Sequence, residues 1–268
     1  LRFEVKFKMR SRSAICAFCL LLILSAVLPA SGLRVDNAIL KADVVPGEKI
    51  RHEMTVRIGG DDQPVEAVAE VKGFGTNVHG SIDLVDPDDD LSPYSAREFF
   101  EINPGSFWLE PGVPVTVVLE GEVPKDVGSG GRYALVDIHT APQGTGTVGV
   151  ATAVIVPIYL TIKGTEILKT GEIDGIEVSD EGVLSIFYEN TGNYHYGVTA
   201  EVTLTDDAGE VVKNFTTQKG TSLPAVTYPF TIPLNPDGDL APGTYTVEAE
   251  VTLEDGTVLD TAETTIEV

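Results

Sequence analysis

The amino-acid sequence predicts an all-β protein: two β-sandwiches in tandem behind an N-terminal signal segment. Three observations predict it. From Val35 onward, short runs rich in Val, Ile, Thr and Tyr alternate with clusters of Gly, Pro, Asp and Asn, as antiparallel strands and their turns do. Helical periodicity is nearly absent over the same stretch. One pattern also occurs twice, in VPVTVVLEGEVPKDVGSGGRYALVDI and in YPFTIPLNPDGDLAPGTYTVEAEV: strand, proline-containing loop, glycine, tyrosine, strand. The 43% hydrophobic content of the 268 residues is enough to fill two cores and argues against global disorder.

Residues 1–32 read as the signal segment, with Met9 the preferred start. Met9-Arg10-Ser11-Arg12 is a basic lead. AICAFCLLLILSAVL (14–28) is an apolar run, and PASG offers small residues for cleavage after Gly32. The alternative is an uncleaved anchor, but the run is short against the ~20 residues a membrane span needs. Cys16 and Cys19 both lie in this run, where a C-x-x-C pair has no polar setting for metal or redox chemistry. A chain cleaved there holds no cysteine and owes its stability to packing rather than disulfides.

The first sandwich is assigned to residues 35–163. Its strand candidates are KIRHEMTVRI (49–58), VEAVAEVKGF (65–74), VPVTVVLEGEV (113–123), RYALVDIHT (132–140) and VGVATAVIVPIYLTIKG (148–164). Relative to the second half it carries an insertion, residues 75–104. There PYSAREFF suggests one helical turn capped by Ser95, and adjacent Phe99 and Phe100 must face opposite ways on a strand, so that at least one is buried. KGTEILKTG (163–171) resets the register. The second sandwich, 172–268, has candidates at 182–192, 196–215, 225–234, 243–256 and 257–268. TDDAGE and LEDGT each place Asp and Gly where a hairpin needs positive φ or a side-chain-stabilised turn. Tyr133 and Tyr245 each follow Gly-x at the start of a late strand, the place of a tyrosine corner in an immunoglobulin-like sandwich.

Charge and motifs narrow the function. Residues 1–32 hold five of the 18 basic residues and one of the 41 acids, leaving 13 basic against 40 acidic, a net of −27. So acidic a surface repels phosphate backbones and anionic headgroups, which excludes nucleic acid as a partner and leaves membrane contact to an uncleaved N-terminal segment. The four histidines, His52, His79, His139 and His195, show no ligand spacing. The chain has no G-x-S-x-G elbow, P-loop or dinucleotide fingerprint. GSGG (128–131) leads into a strand, cannot cradle a phosphate at a helix N-terminus, and reads as a flexible loop. Asp86, Asp88, Asp89 and Asp90 in DPDDD could gather oxygens around Ca²⁺, although a solvated acidic loop is the favoured reading. Asn214-Phe215-Thr216 is a glycosylation sequon. No cofactor is implied.

FWLEPGVPVTVVLEGEVP…GGRYALVDI, together with VVPGEKIRHEMTVRI (44–58), resembles the amino-terminal immunoglobulin-like domains of WxL-interacting surface proteins and of pilus-assembly chaperones, over roughly residues 38–163. YENTGNYHYGVTAEVTLTDDAG and LAPGTYTVEAEV are similar to adhesion-type immunoglobulin-like modules of prokaryotic cell surfaces. The resemblance implies an exported, non-enzymatic binding or structural protein whose partner is a protein or an envelope component. An alternative is an export-compartment assembly chaperone that donates a strand edge to clients. The paired basic residues with which pilus chaperones grip a subunit carboxylate have no matching motif here. Trp108, Phe99 and Phe100 are the candidate contact residues. In SFWLEPG, alternation puts Phe107 and Leu109 on the core face and Trp108 on the outer face, either covered by the 75–104 insertion or exposed as an anchor.

Overall fold

A computed structural model of the protein describes residues 32–77, 80–141, 151–236, 238 and 240–268. The apolar run, Met9, both cysteines and His79 lie outside them.

Two β-sandwiches follow one another. The first contains β1 (Arg34–Asp36), β2 (Leu40–Val44), β3 (Lys49–Arg57), β4 (Val65–Thr76), β5 (Ile82–Val85), β6 (Phe100–Asn103), β7 (Ser106–Leu109), β8 (Val115–Glu122), β9 (Gly131–Thr140) and β10 (Ala153–Ile162). A four-stranded sheet, β1-β3-β8-β6, packs against a six-stranded sheet, β2-β10-β9-β4-β5, in which β7 also pairs with β4. Alternation along the strands points Met54, Val56, Leu109, Val117, Leu119, Ile138, Val156 and Ile158 into the space between the sheets, where each is fully buried. Truncating any one of the larger of these to alanine would cost about 2–5 kcal/mol.

The second sandwich contains β11 (Glu172–Val178), β12 (Val183–Glu189), β13 (Tyr196–Asp206), β14 (Val211–Thr216), β15 (Gly220–Ser222), β16 (Thr227–Pro233), β17 (Thr244–Leu253) and β18 (Val258–Glu267). A three-stranded sheet, β11-β12-β16, faces a five-stranded one, β14-β13-β17-β18 with β15 on β13. Leu184, Ile186, Leu204, Val247 and Val251 fill its separate core. Both sandwiches are immunoglobulin-like, and no helix among the described residues is long and apolar enough to cross a membrane.

The two hairpin turns use the residues their chemistry demands. Gly209 and Gly256 sit at φ 81° and 83°. The Asp206 carboxylate accepts the N–H groups of Ala208 and Glu210, and that of Asp255 accepts the N–H of Thr257. Within the 75–104 stretch, β4 runs on to Thr76 and pairs with β5, so this stretch begins inside a strand. A 3₁₀ turn follows at Arg97–Phe99, with the Ser95 hydroxyl accepting the Arg97 N–H at 3.1 Å.

Candidate binding surfaces on the first sandwich

β10 is an edge strand for half its length. β2 pairs with it in parallel only from Ile158 to Ile162, and among the described residues no strand covers the outer side of Ala153–Pro157. The hydrogen-bond phase says which groups face outward. Thr140 N–H donates to the Thr152 carbonyl at 2.9 Å and Ile162 N–H to the Gly130 carbonyl at 2.9 Å. Even-numbered residues of β10 therefore bond inward to β9, and Ala153, Ile155 and Pro157 turn their backbone groups outward. Pro157 has no N–H to offer, so it blunts the edge where β2 takes over. Ala153 and Ile155 keep both donor and acceptor. The Ile155 side chain is 38% exposed on the outer face.

Trp108 stands on that same outer face, 64% exposed, while Phe107 and Leu109 are buried in the core. It pairs with Glu66 across β4, and Glu66 accepts a hydrogen bond from Ser106 at 3.0 Å. Three strand spacings, roughly 14 Å, separate β7 from β10. Trp108 is thus exposed rather than covered by the 75–104 stretch. The 75–104 stretch instead packs toward the sandwich interior and its end: Phe100 is 7% exposed in the core, and Phe99 is half-buried against it.

The second sandwich meets the first through the loop Thr191–His195. Asn193 is buried. Its Oδ1 accepts the Leu168 N–H at 2.8 Å, its Nδ2 donates to Ser129 Oγ at 3.1 Å and to the Glu166 carbonyl at 2.9 Å, and its backbone carbonyl accepts the Gly131 N–H at 2.8 Å. Gly130, at φ 87°, lies so close that a Cβ there would stand 2.0 Å from the Asn193 carbonyl oxygen. GSGG is therefore not the flexible loop its composition suggests. Gly130 is needed for close approach of two backbones, and the loop is pinned on both sides.

Tyr133 belongs to the same joint. Its hydroxyl does not close a corner within its own sandwich; it accepts the His195 N–H at 2.8 Å and lies 3.1 Å from His195 Nδ1. Gly131 makes this possible, since a Cβ there would fall 1.8 Å from the hydroxyl. The His195 ring is surrounded by Tyr133, Tyr159 and Tyr194, at 5.5, 5.0 and 4.3 Å between centroids. Burial, then Lys41 and Lys169, hold its pKa down to about 4, so it is neutral at ordinary pH. Burial likewise pushes the Tyr133 hydroxyl well above its usual range. Beside the joint, Phe74, Ile82 and Tyr159 of the first sandwich and Lys219, Leu223 and Tyr228 of the second line a cleft of about 570 Å³.

The remaining sequence candidates are dispersed. Tyr245 donates its hydroxyl to the Ala241 carbonyl, four residues upstream, at 2.7 Å. The four aspartates proposed for Ca²⁺ do not converge: Asp86 accepts from Lys72 at 3.0 Å, while Asp90 turns inward to Ser95 Oγ at 2.5 Å and to Arg97. His52 Nε2 contacts the Asn37 carbonyl and His139 Nδ1 contacts Asp137, each at a different place from His195. Among the described residues, the acids close enough to share an ion are Glu172, Asp174 and Glu189 on β11 and β12.

No protein-family model matches the chain, and no curated protein matches it. Among solved structures it is similar to the Pseudomonas aeruginosa CupB2 chaperone, with 14% identity over 87% of this chain and 98% of that one and a TM-score of 0.39. The E. coli chaperone DraB gives 13%, 87%, 95% and 0.40. A chain of a chaperone–tip adhesin complex of CFA/I fimbriae gives 12%, 87%, 98% and 0.43. At such identities and scores, none of these proteins lends a residue role to this one.

Proposed function

We propose that the chain is an exported, non-enzymatic protein of the cell surface or envelope that binds a partner protein, and that the contact surface is the open half of β10 with the outer face that carries Trp108. The observation that carries this reading is the half-covered edge. Ala153 and Ile155 turn N–H and C=O groups outward that no strand among the described residues pairs, and an extended segment can add there as a strand. Trp108, a large exposed aromatic on a rigid strand, supplies the kind of side chain that dominates contact energies. The acidic surface adds selectivity against anionic partners.

The test is capture of partners from the native envelope fraction with wild type, Trp108→Ala and Ile155→Pro. Proline at 155 removes an outward N–H in the phase that Pro157 already occupies, so it leaves the bonds to β9 intact. Both variants should lose the captured protein. Equal capture by all three rejects the surface.

The chaperone reading shares the strand edge and is supported in addition by the cleft between the sandwiches. It differs in outcome. A chaperone's client leaves when it assembles, whereas a binding module keeps its partner. Pulse-chase of the captured complex separates the two.

A further inference from the structure

The chain contains one N-x-S/T triplet in its 268 residues, Asn214-Phe215-Thr216, and it lies on β14. Asn214 pairs with Thr203 and Phe215 with Val202. Val202 is a core residue, so Phe215 points inward, while Asn214 and Thr216 share the outer face and are both exposed. The Thr203 hydroxyl donates to Asn214 Oδ1 at 3.0 Å, which turns the amide nitrogen away from the sheet. β14 is also an edge strand. Thr217 N–H bonds inward to the Ala200 carbonyl at 2.9 Å, so in alternation Asn214 and Thr216 direct their backbone groups outward. An acceptor-site enzyme could therefore hold this segment as an extended strand with the sandwich folded.

The edge itself is exposed to strand addition. Val211 and Val212 are 57% and 41% exposed, and β14 carries no proline and no acid. The other edges of the second sandwich are better defended. β16 has Pro229 and Pro233, β11 has Glu172, Asp174 and Glu177, and β18 has Asp260, Glu263 and Glu267. Among the described residues, Lys213 and the register shift near Val212 are what protects β14.

We propose that Asn214 is an N-glycosylation site whose glycan closes the β14 edge. The donor class is a lipid-phosphate-linked oligosaccharide. A bond forms between Asn214 Nδ2 and C1 of the sugar, the C1–O bond to phosphate breaks with its electron pair leaving on the lipid phosphate, and Nδ2 releases one proton to a base. The proposal rests on the export reading.

The test starts from the extracytoplasmic fraction of the native source. Trypsin cleaves after Lys213 and Lys219, so the peptide Asn214–Lys219 should carry sugar mass. Asn214→Gln and Thr216→Ala should abolish that mass, and Thr216→Ser should keep it. An exported chain whose peptide has only its unmodified mass overturns this proposal and leaves export standing. A chain confined to the cytoplasm overturns both. For the role of the glycan, Asn214→Gln should self-associate on the order of tenfold more strongly in sedimentation equilibrium, and adding Thr216→Pro, which removes an outward N–H, should reverse it. Asn214→Gln that stays as monomeric as the glycosylated form overturns the edge-closing role.

Discussion

Replacing Asn193 with alanine should uncouple the two sandwiches. The side chain makes three hydrogen bonds, to Leu168 N–H, Ser129 Oγ and the Glu166 carbonyl, at 2.8, 3.1 and 2.9 Å. At about 1 kcal/mol each the loss is about 3 kcal/mol. Nearly all of it falls on the joint, because the partners are the 128–131 loop of the first sandwich and the 163–171 connection. In a chain of this size 1 kcal/mol moves Tm by about 2–4 °C, so the first unfolding event should come about 6–12 °C earlier. Differential scanning calorimetry should show more than a shift. Each sandwich has its own core, so a single transition in the wild type should separate into two in the variant. A single transition within about 1 °C of the wild type would refute the assignment of Asn193 as the clasp.

Other consequences follow from the same joint. His195 is neutral and half-buried in the folded chain, with a pKa near 4 against an ordinary 6.5. As pH falls from 6.5 toward 4 the unfolded chain takes up a proton that the folded chain does not, so stability is full above 6.5 and declines across that window. With partial exposure discounted, the decline is about 1–2 kcal/mol. Urea midpoints at pH 7.5 and 4.5 should differ less for His195→Asn than for the wild type. Gly130→Ala combines positive φ with a clash against the Asn193 carbonyl. It should destabilise by more than ~2 kcal/mol, whereas Gly182→Ala, with positive φ but open space around it, should cost only the ~1–2 kcal/mol of backbone strain. Equal urea midpoints for the two variants would contradict the close-packed joint.

The fold was legible because sandwich strands write their burial into a period of two. The long runs at 49–58, 65–74, 132–140 and 243–256 each contain a strand, and alternation in SFWL gave the buried phase of Phe107 and Leu109. Short or edge strands were not legible. β1, β2 and β15 hold three to five residues, too few for a period, and they are fixed by their neighbours. The joint was hidden for another reason. Asn193 lies far in sequence from Gly130 and Tyr133, and a glycine needed for a distant carbonyl reads the same as one in a loose loop. The tandem Gly-x-Tyr pattern did mark two equivalent strand starts. Only Tyr245 turns its hydroxyl back on its own sandwich, because the Thr191–His195 loop takes the Tyr133 hydroxyl first. The open half of β10 was likewise invisible, since which strand covers which edge is a property of pairing rather than of composition.

Site-specific photo-crosslinking in the native source tests the central claim most directly. A photoreactive residue at position 155, on the open half of β10, should give a discrete adduct with one partner protein. The same residue at position 160, whose side chain is buried and whose strand is covered by β2, should give none. No adduct from 155, or the same adduct from both positions, would contradict the account.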